Sequence, residues 1–206
     1  MAPKRWRRLV GATVAAALAL WAASPGVAGA PVTIGGPFTL RAPDGTTVTD
    51  QTYRGKWLLV YFGYTFCPNT CPTALMDISL VLARLGGEAN ALKPLFITVD
   101  PQRDTPEVLR QYTESFDPRI LALSGGPQQI AAVAQAYGVY YAPHQIGPSA
   151  EDYLIDHSSY IYLMDPFGSF ARGFDADTPP DRIAQAVREL MRQATGGSAP
   201  GDRGAW

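Results

Sequence analysis

Trp57-Leu-Leu-Val-Tyr-Phe-Gly-Tyr-Thr-Phe-Cys67-Pro-Asn-Thr-Cys71-Pro-Thr73 is the stretch on which the fold turns. Its first six residues are all apolar, which suits a strand buried on both faces. A loop holding two cysteines follows, with the spacing C-x3-C. From Thr73 to Leu85 the pattern changes: Leu75, Ile78, Leu82 and Leu85 recur at helical spacing, and Gly86-Gly87 ends the run. Both sulfurs therefore sit where a buried strand gives way to a helix. Unpaired N–H groups and the helix dipole at that junction favour thiolate over thiol.

Working outward, Leu95–Val99 reads as a second buried strand that closes in the turn Asp100-Pro101. Thr105 is placed to cap a helix with Pro106 at its first position, running to about Ser115. A further helix spans Pro127–Tyr137, then a short strand Val139–Tyr141 and a polar loop Ala142–Asp152. Strands Ser159–Met164 and Ser169–Phe174 are joined by the turn Asp165-Pro166-Phe167-Gly168. Thr178 is expected to cap a last helix, striped by Ile183, Val187, Leu190 and Met191 and stopped at Gly196. Thr39–Thr49 carries a hairpin turning at Asp44-Gly45. Strands alternating with helices give an α/β class. The order fits a thioredoxin-like fold with an inserted hairpin and loops. Met76 and Met164 read as core side chains, and Tyr137, Tyr140 and Tyr141 as packing residues.

The composition agrees with one packed domain. The 206 residues are 47% hydrophobic and 17% charged, with a formal charge of −1, which excludes a disordered chain and argues against a nucleic-acid footprint. The first residues differ from the rest. Lys4, Arg5, Arg7 and Arg8 precede an apolar run Leu9–Ala23, shorter than the roughly 20 residues of a stable span, and Ala28-Gly29-Ala30 fits a signal-peptidase site. The expectation is a signal peptide or uncleaved anchor at 1–30, a folded domain at 31–195 and a flexible tail at 196–206. Residues 1–30 hold four of the 17 basic side chains and none of the 18 acidic ones, so the remainder carries −5. The basic start and short apolar run predict that this acidic domain lies outside the cytoplasm, in a bacterial periplasm, free or tethered to the inner membrane by residues 9–23. Its cysteines can be oxidised there.

Three chemistries suit such a cysteine pair: an inert disulfide, a thiol–disulfide active site, or a metal site with redox chemistry. A five-residue loop is a poor staple, because stabilisation grows with loop length. Helical i, i+4 spacing would let Cys67 and Cys71 point the same way. Asp156-His157-Ser158 lies just before the strand Ser159–Met164, where a thioredoxin-like fold faces the cysteine-bearing helix N-terminus and thioredoxins commonly place a proline. Two thiolates and one imidazole suit copper(I), which prefers soft sulfur and few ligands. Structural zinc needs a fourth ligand, for which His144 is the other histidine. Asp100 is placed either to line the site or to cap its turn. A peroxidatic Thr-x-x-Cys arrangement is missing.

These segments resemble the Sco/SenC family of copper chaperones. The likeness rests on Gly63-Tyr-Thr-Phe-Cys67-Pro-Asn-Thr-Cys71-Pro72, on Val99-Asp-Pro-Gln-Arg103-Asp-Thr-Pro-Glu107, and on Tyr153-Leu-Ile-Asp-His157-Ser158 with Tyr162-Leu-Met-Asp-Pro-Phe-Gly168. The resemblance implies a thioredoxin-like fold, commonly membrane-tethered, with Cys67, Cys71 and His157 as copper ligands. It implies metallation of the binuclear copper centre of cytochrome c oxidase subunit II, by copper donation, thiol reduction or both, with other copper chaperones or thiol reductants as further partners. Asn69 departs from the family, which often has aspartate there; the change bears on partner docking and redox potential. The alternative is an extracytoplasmic thiol–disulfide oxidoreductase, which would make the chain an enzyme rather than a binding protein.

Overall fold

The computed structural model describes residues 33–196. The expected export segment at 1–30 and most of the expected tail lie outside the described residues. The strands are β1 (Thr39–Arg41), β2 (Thr47–Thr49), β3 (Trp57–Gly63), β4 (Leu92–Thr98), β5 (Leu121–Leu123), β6 (Tyr141–Gln145), β7 (Tyr153–His157), β8 (Tyr160–Met164) and β9 (Phe170–Asp175). The helices are α1 (Thr70–Leu85), α2 (Pro106–Thr113), α3 (Pro127–Ala136) and α4 (Pro180–Gly196). Five strands form one sheet in the order β5-β4-β3-β8-β9, parallel from β3 to β5 and antiparallel beyond β3. Helices on such a sheet give the thioredoxin-like α/β fold.

All seven residues of β3 are buried, as a central strand requires. Side chains alternate across the sheet. Tyr61 stacks on Phe96 of β4 on the face that carries α1, with centroids 6.4 Å apart. Phe62 meets Tyr137, at the end of α3, on the opposite face at 5.3 Å. Helix α1 buries Leu75, Ile78, Leu82 and Leu85 and packs against α4, whose Ile183 and Val187 are fully buried. Thr105 caps α2 through a hydrogen bond from Val108 N. The turn between β8 and β9 closes on Asp165, whose Oδ1 accepts from Phe167 N and Ser169 N.

Several boundaries differ from the sequence reading. Helix α1 starts at Thr70 rather than Thr73. Strand β4 starts at Leu92 and includes Pro94, one residue before its pairing with β5 begins at Leu95; an interior proline removes a ladder donor and so masks a strand. β5 and β7 form where the sequence reading has no strand. The strand expected at Val139–Tyr141 begins at Tyr141 and continues through Pro143, inside the expected loop. Thr178 does not cap α4, because Pro179 occupies that position and its carbonyl accepts from Arg182 N. Met164 is core, but Met76 is 49% exposed and Tyr140 64%. Among the described residues no helix is long and apolar enough to cross a membrane.

Candidate metal centre

The site begins where β3 ends. Gly63 has no side chain because a Cβ there would stand 2.7 Å from Cys71 Sγ and 3.0 Å from Phe96 Cε2. The chain then turns through Tyr64–Asn69 into α1. Thr65 pins this turn, donating from its hydroxyl to Asp104 Oδ1 at 2.6 Å and from its N–H to Oδ2 at 3.2 Å. Cys67 lies in the turn, half-buried, and Cys71 is the second residue of α1, fully buried. Only one of the two cysteines is helical. The sulfurs therefore converge through the turn, not through the helical i, i+4 spacing expected from sequence.

The helix N-terminus is completed by sulfur. Asn69 stands at the N-cap without a side-chain hydrogen bond, and Cys71 N donates instead to Cys67 Sγ at 3.4 Å. A sulfur in that position takes an orphan donor and feels the positive end of the helix. The Cys67 pKa is pulled down to about 3, first by the hydrogen bond from the Cys71 thiol and further by His157 and backbone N–H groups, against burial. The Cys71 thiol is pushed up, because it donates to the Cys67 sulfur and is buried. The pair thus holds one proton, on Cys71. Tyr61 donates its hydroxyl to Cys71 Sγ at 3.8 Å, and burial pushes that phenol up as well.

His157 arrives from the far side, as the last residue of β7. Its Nδ1 lies 3.0 Å from the Ser158 carbonyl, which can only accept, so Nδ1 carries the proton. Nε2 is turned to the sulfurs and lies 3.3 Å from Cys71 Sγ. The rings of Tyr61 and Tyr64 meet the imidazole edge-on, with centroids at 6.2 and 5.9 Å. The Tyr64 hydroxyl also accepts from Ile155 N at 3.1 Å, two residues before the histidine.

Sγ of Cys67, Sγ of Cys71 and an imidazole nitrogen of His157 lie within 4.8 Å of one another. Two soft sulfurs and one oriented imidazole fit a thiophilic ion of low coordination number. His144 does not join them; its Nδ1 lies 3.2 Å from Asp156 Oδ2 on the exposed hairpin. Asp100 does not line the sulfurs either. It is buried against Arg103 and accepts a hydrogen bond from Tyr153. Sequence reasoning named no role for Tyr64, Thr65, Arg103 or Asp104. The available signal was three charged residues within Asp100–Asp104, directly after a buried strand, where solvation alone does not account for them.

A family model described as SCO1/SenC matches residues 27–192. Protein SenC of Rhodobacter capsulatus is 41% identical over 162 residues, covering 79% of this chain and 72% of the relative. The human protein described as "Protein SCO1 homolog, mitochondrial" is 39% identical over 163 residues, covering 77% of this chain and 53% of its own length. The match thus spans about half of that relative. The solved structure of Bradyrhizobium japonicum ScoI with copper bound superposes with a TM-score of 0.70 at 43% identity, covering 76% of this chain and 98% of that one.

Proposed function

The chain belongs to the SCO1/SenC family, and on that premise we propose that it is a copper metallochaperone whose cargo is held by Cys67, Cys71 and His157. One observation carries the reading: three donor atoms from two distant segments lie within 4.8 Å, in the proportion of soft sulfur to imidazole that copper(I) favours. Copper in the Bradyrhizobium relative supports it. Cys71 is fully buried, while Cys67 and His157 are both half-buried, so cargo enters and leaves on the side of those two ligands.

The recipient in this reading is the binuclear copper centre of cytochrome c oxidase subunit II, reached outside the cytoplasm. The basic and apolar residues at 4–23 support export, as cleaved signal or inner-membrane tether. A second role has its own support in the asymmetric thiols. A low-pKa Cys67 beside a protonated Cys71 suits thiol reduction of the same centre. Cys67 thiolate attacks a partner disulfide, Cys71 resolves the mixed disulfide, and two electrons pass to the partner's cysteines as this pair closes to a disulfide.

The test is anaerobic titration of the reduced protein with copper(I) against a chromophoric competitor. One ion per chain is expected, with tight binding abolished once Cys67 and Cys71 are oxidised to a disulfide. Failure to bind, or binding indifferent to oxidation, overturns the reading.

A further inference from the structure

The histidine sits on an appendage. Among the described residues β6 and β7 pair only with each other and not with the five-stranded sheet, and most of their residues are exposed or half-buried. Something else must fix the distance from His157 to the sulfurs.

We propose that Arg103 is a positioning residue for His157, holding β7 against the cysteine turn; its consequence for cargo rests on the copper reading above. Arg103 lies in the turn between β4 and α2, and its side chain is 12% exposed. Its Nη1 donates to the carbonyl of Tyr153 at 2.8 Å and of Glu151 at 3.1 Å, gripping the start of β7. Its Nε donates to Asp100 Oδ2 at 2.5 Å, and Asp100 Oδ1 accepts from the Tyr153 hydroxyl at 2.8 Å. The guanidinium carbon lies 3.5 Å from the ring centre of Tyr153 and 4.8 Å from that of Phe66, the residue before Cys67. One planar group therefore touches the histidine strand and the cysteine turn together. The next residue, Asp104, holds Thr65 in the same turn. Two consecutive side chains thus tie both halves of the site to one loop.

Lysine cannot replace this fork. Its ammonium is a point charge that satisfies Asp100 but lacks the planar face and the fixed set of donors. Arg103→Lys therefore keeps the charge pairing and loosens β7. Where that variant folds poorly, Arg103→Met with Asp100→Asn removes both charges of the pair together, so neither partner is left as an unpaired ion.

The experiment uses the full chain and two readouts. In the reduced, metal-free protein, hydrogen exchange at the Ile155 amide should speed at least tenfold in the variant, while amides of β8 stay within twofold. In copper(I) competition the variant should bind at least tenfold more weakly, and the copper(II) form should show altered imidazole-nitrogen coupling in its EPR spectrum. Unchanged exchange at Ile155, or equal acceleration throughout β8, overturns the positioning role. Faster exchange at Ile155 with native copper affinity and nitrogen coupling overturns the link to His157. A native protein that binds no copper overturns the proposed function instead, and the exchange measurement still decides whether Arg103 holds β7.

Discussion

His157 Nε2 lies 3.3 Å from Cys71 Sγ although 86 positions separate them in the chain. The other ring nitrogen is already engaged by the Ser158 carbonyl. The imidazole is therefore aimed at the sulfurs before any cargo arrives. Orientation of a ligand by the bond its second nitrogen makes is a general feature of metal-binding histidines. Less ordering remains to be done on binding, which favours affinity.

The sulfurs are expected to react unequally. Cys67 is half-buried with its pKa drawn down to about 3, chiefly by the hydrogen bond from Cys71, whereas Cys71 is fully buried and pushed up. Iodoacetamide should modify Cys67 alone in the reduced protein. Its rate should stay nearly flat from pH 5 to 8, because Cys67 is thiolate throughout, while an ordinary cysteine falls about tenfold for each pH unit below its value. Mass spectrometry of the digested product checks the site. Modification of both cysteines at similar rates contradicts the asymmetry.

Gly63→Ala should damage the site without touching a ligand. The new Cβ would meet Cys71 Sγ at 2.7 Å and Phe96 Cε2 at 3.0 Å, neither on a flexible chain end. Overpacking of this kind costs about 1–3 kcal/mol. Urea denaturation should show that loss, and copper affinity should fall as Cys71 is displaced. A variant with native stability and native affinity would mean that the cysteine moves freely, against the geometry described.

How much was legible in the sequence follows from where burial leaves a pattern. β3 and α1 were plain, because a wholly buried strand reads as an apolar run and a half-buried helix as a stripe. Cys67, Cys71 and His157 were singled out from residue type, spacing and the expected fold. β7 was invisible for the opposite reason: it pairs only with β6, and of its five residues Ile155 alone is buried. His157 both ends β7 and precedes β8, and only its place before β8 is legible in the sequence. Arg103 and Asp104 act on backbone groups of Tyr153 and Thr65, distant in sequence, and no local period records such contacts.

Asp104 gives the protein a pH signature. Burial raises its pKa above the ordinary 3.8, against the hydrogen bonds from Thr65 and Thr98 that lower it. The folded state then holds this proton more tightly than the unfolded chain. Its contribution to stability is complete below about 3.8 and is lost as pH rises through the folded value. Asp104→Asn should flatten that part of the stability profile, measured by urea denaturation between pH 3.5 and 7. Thr98→Val should cost about 2 kcal/mol at neutral pH, because it removes a hydrogen bond to a buried carboxylate and strips Asp100 N of its acceptor. A cost below about 0.5 kcal/mol would show that the carboxylate does not depend on Thr98.

Copper should stabilise the reduced protein only. A ligand that binds the folded state alone adds about 4 kcal/mol at a thousandfold excess over its dissociation constant. For a domain of this size that is an upward shift in melting temperature on the order of 10 °C. The oxidised protein lacks thiolates and should not shift. Calorimetry of both forms with and without copper makes the comparison. An equal shift in the disulfide form would place the metal elsewhere.

His157→Ala separates the two roles of the cysteine pair. The substitution removes the imidazole and leaves the turn, the helix N-terminus and both sulfurs in place. Cys67 loses one of the groups that lower its pKa, but the larger one, the hydrogen bond from Cys71, remains. The thiolate therefore persists near neutral pH, and exchange with a small disulfide should stay within a few-fold of native. Copper(I) loses one of three donors and faces competitors through the opening left beside Cys71. Its affinity should fall by at least tenfold, about 1.4 kcal/mol or more. Stopped-flow exchange and competition titration on the same preparation measure both. The reverse result, native copper affinity with exchange slowed tenfold or more, would make His157 a group that activates a thiol, and the chain an oxidoreductase instead of a copper carrier.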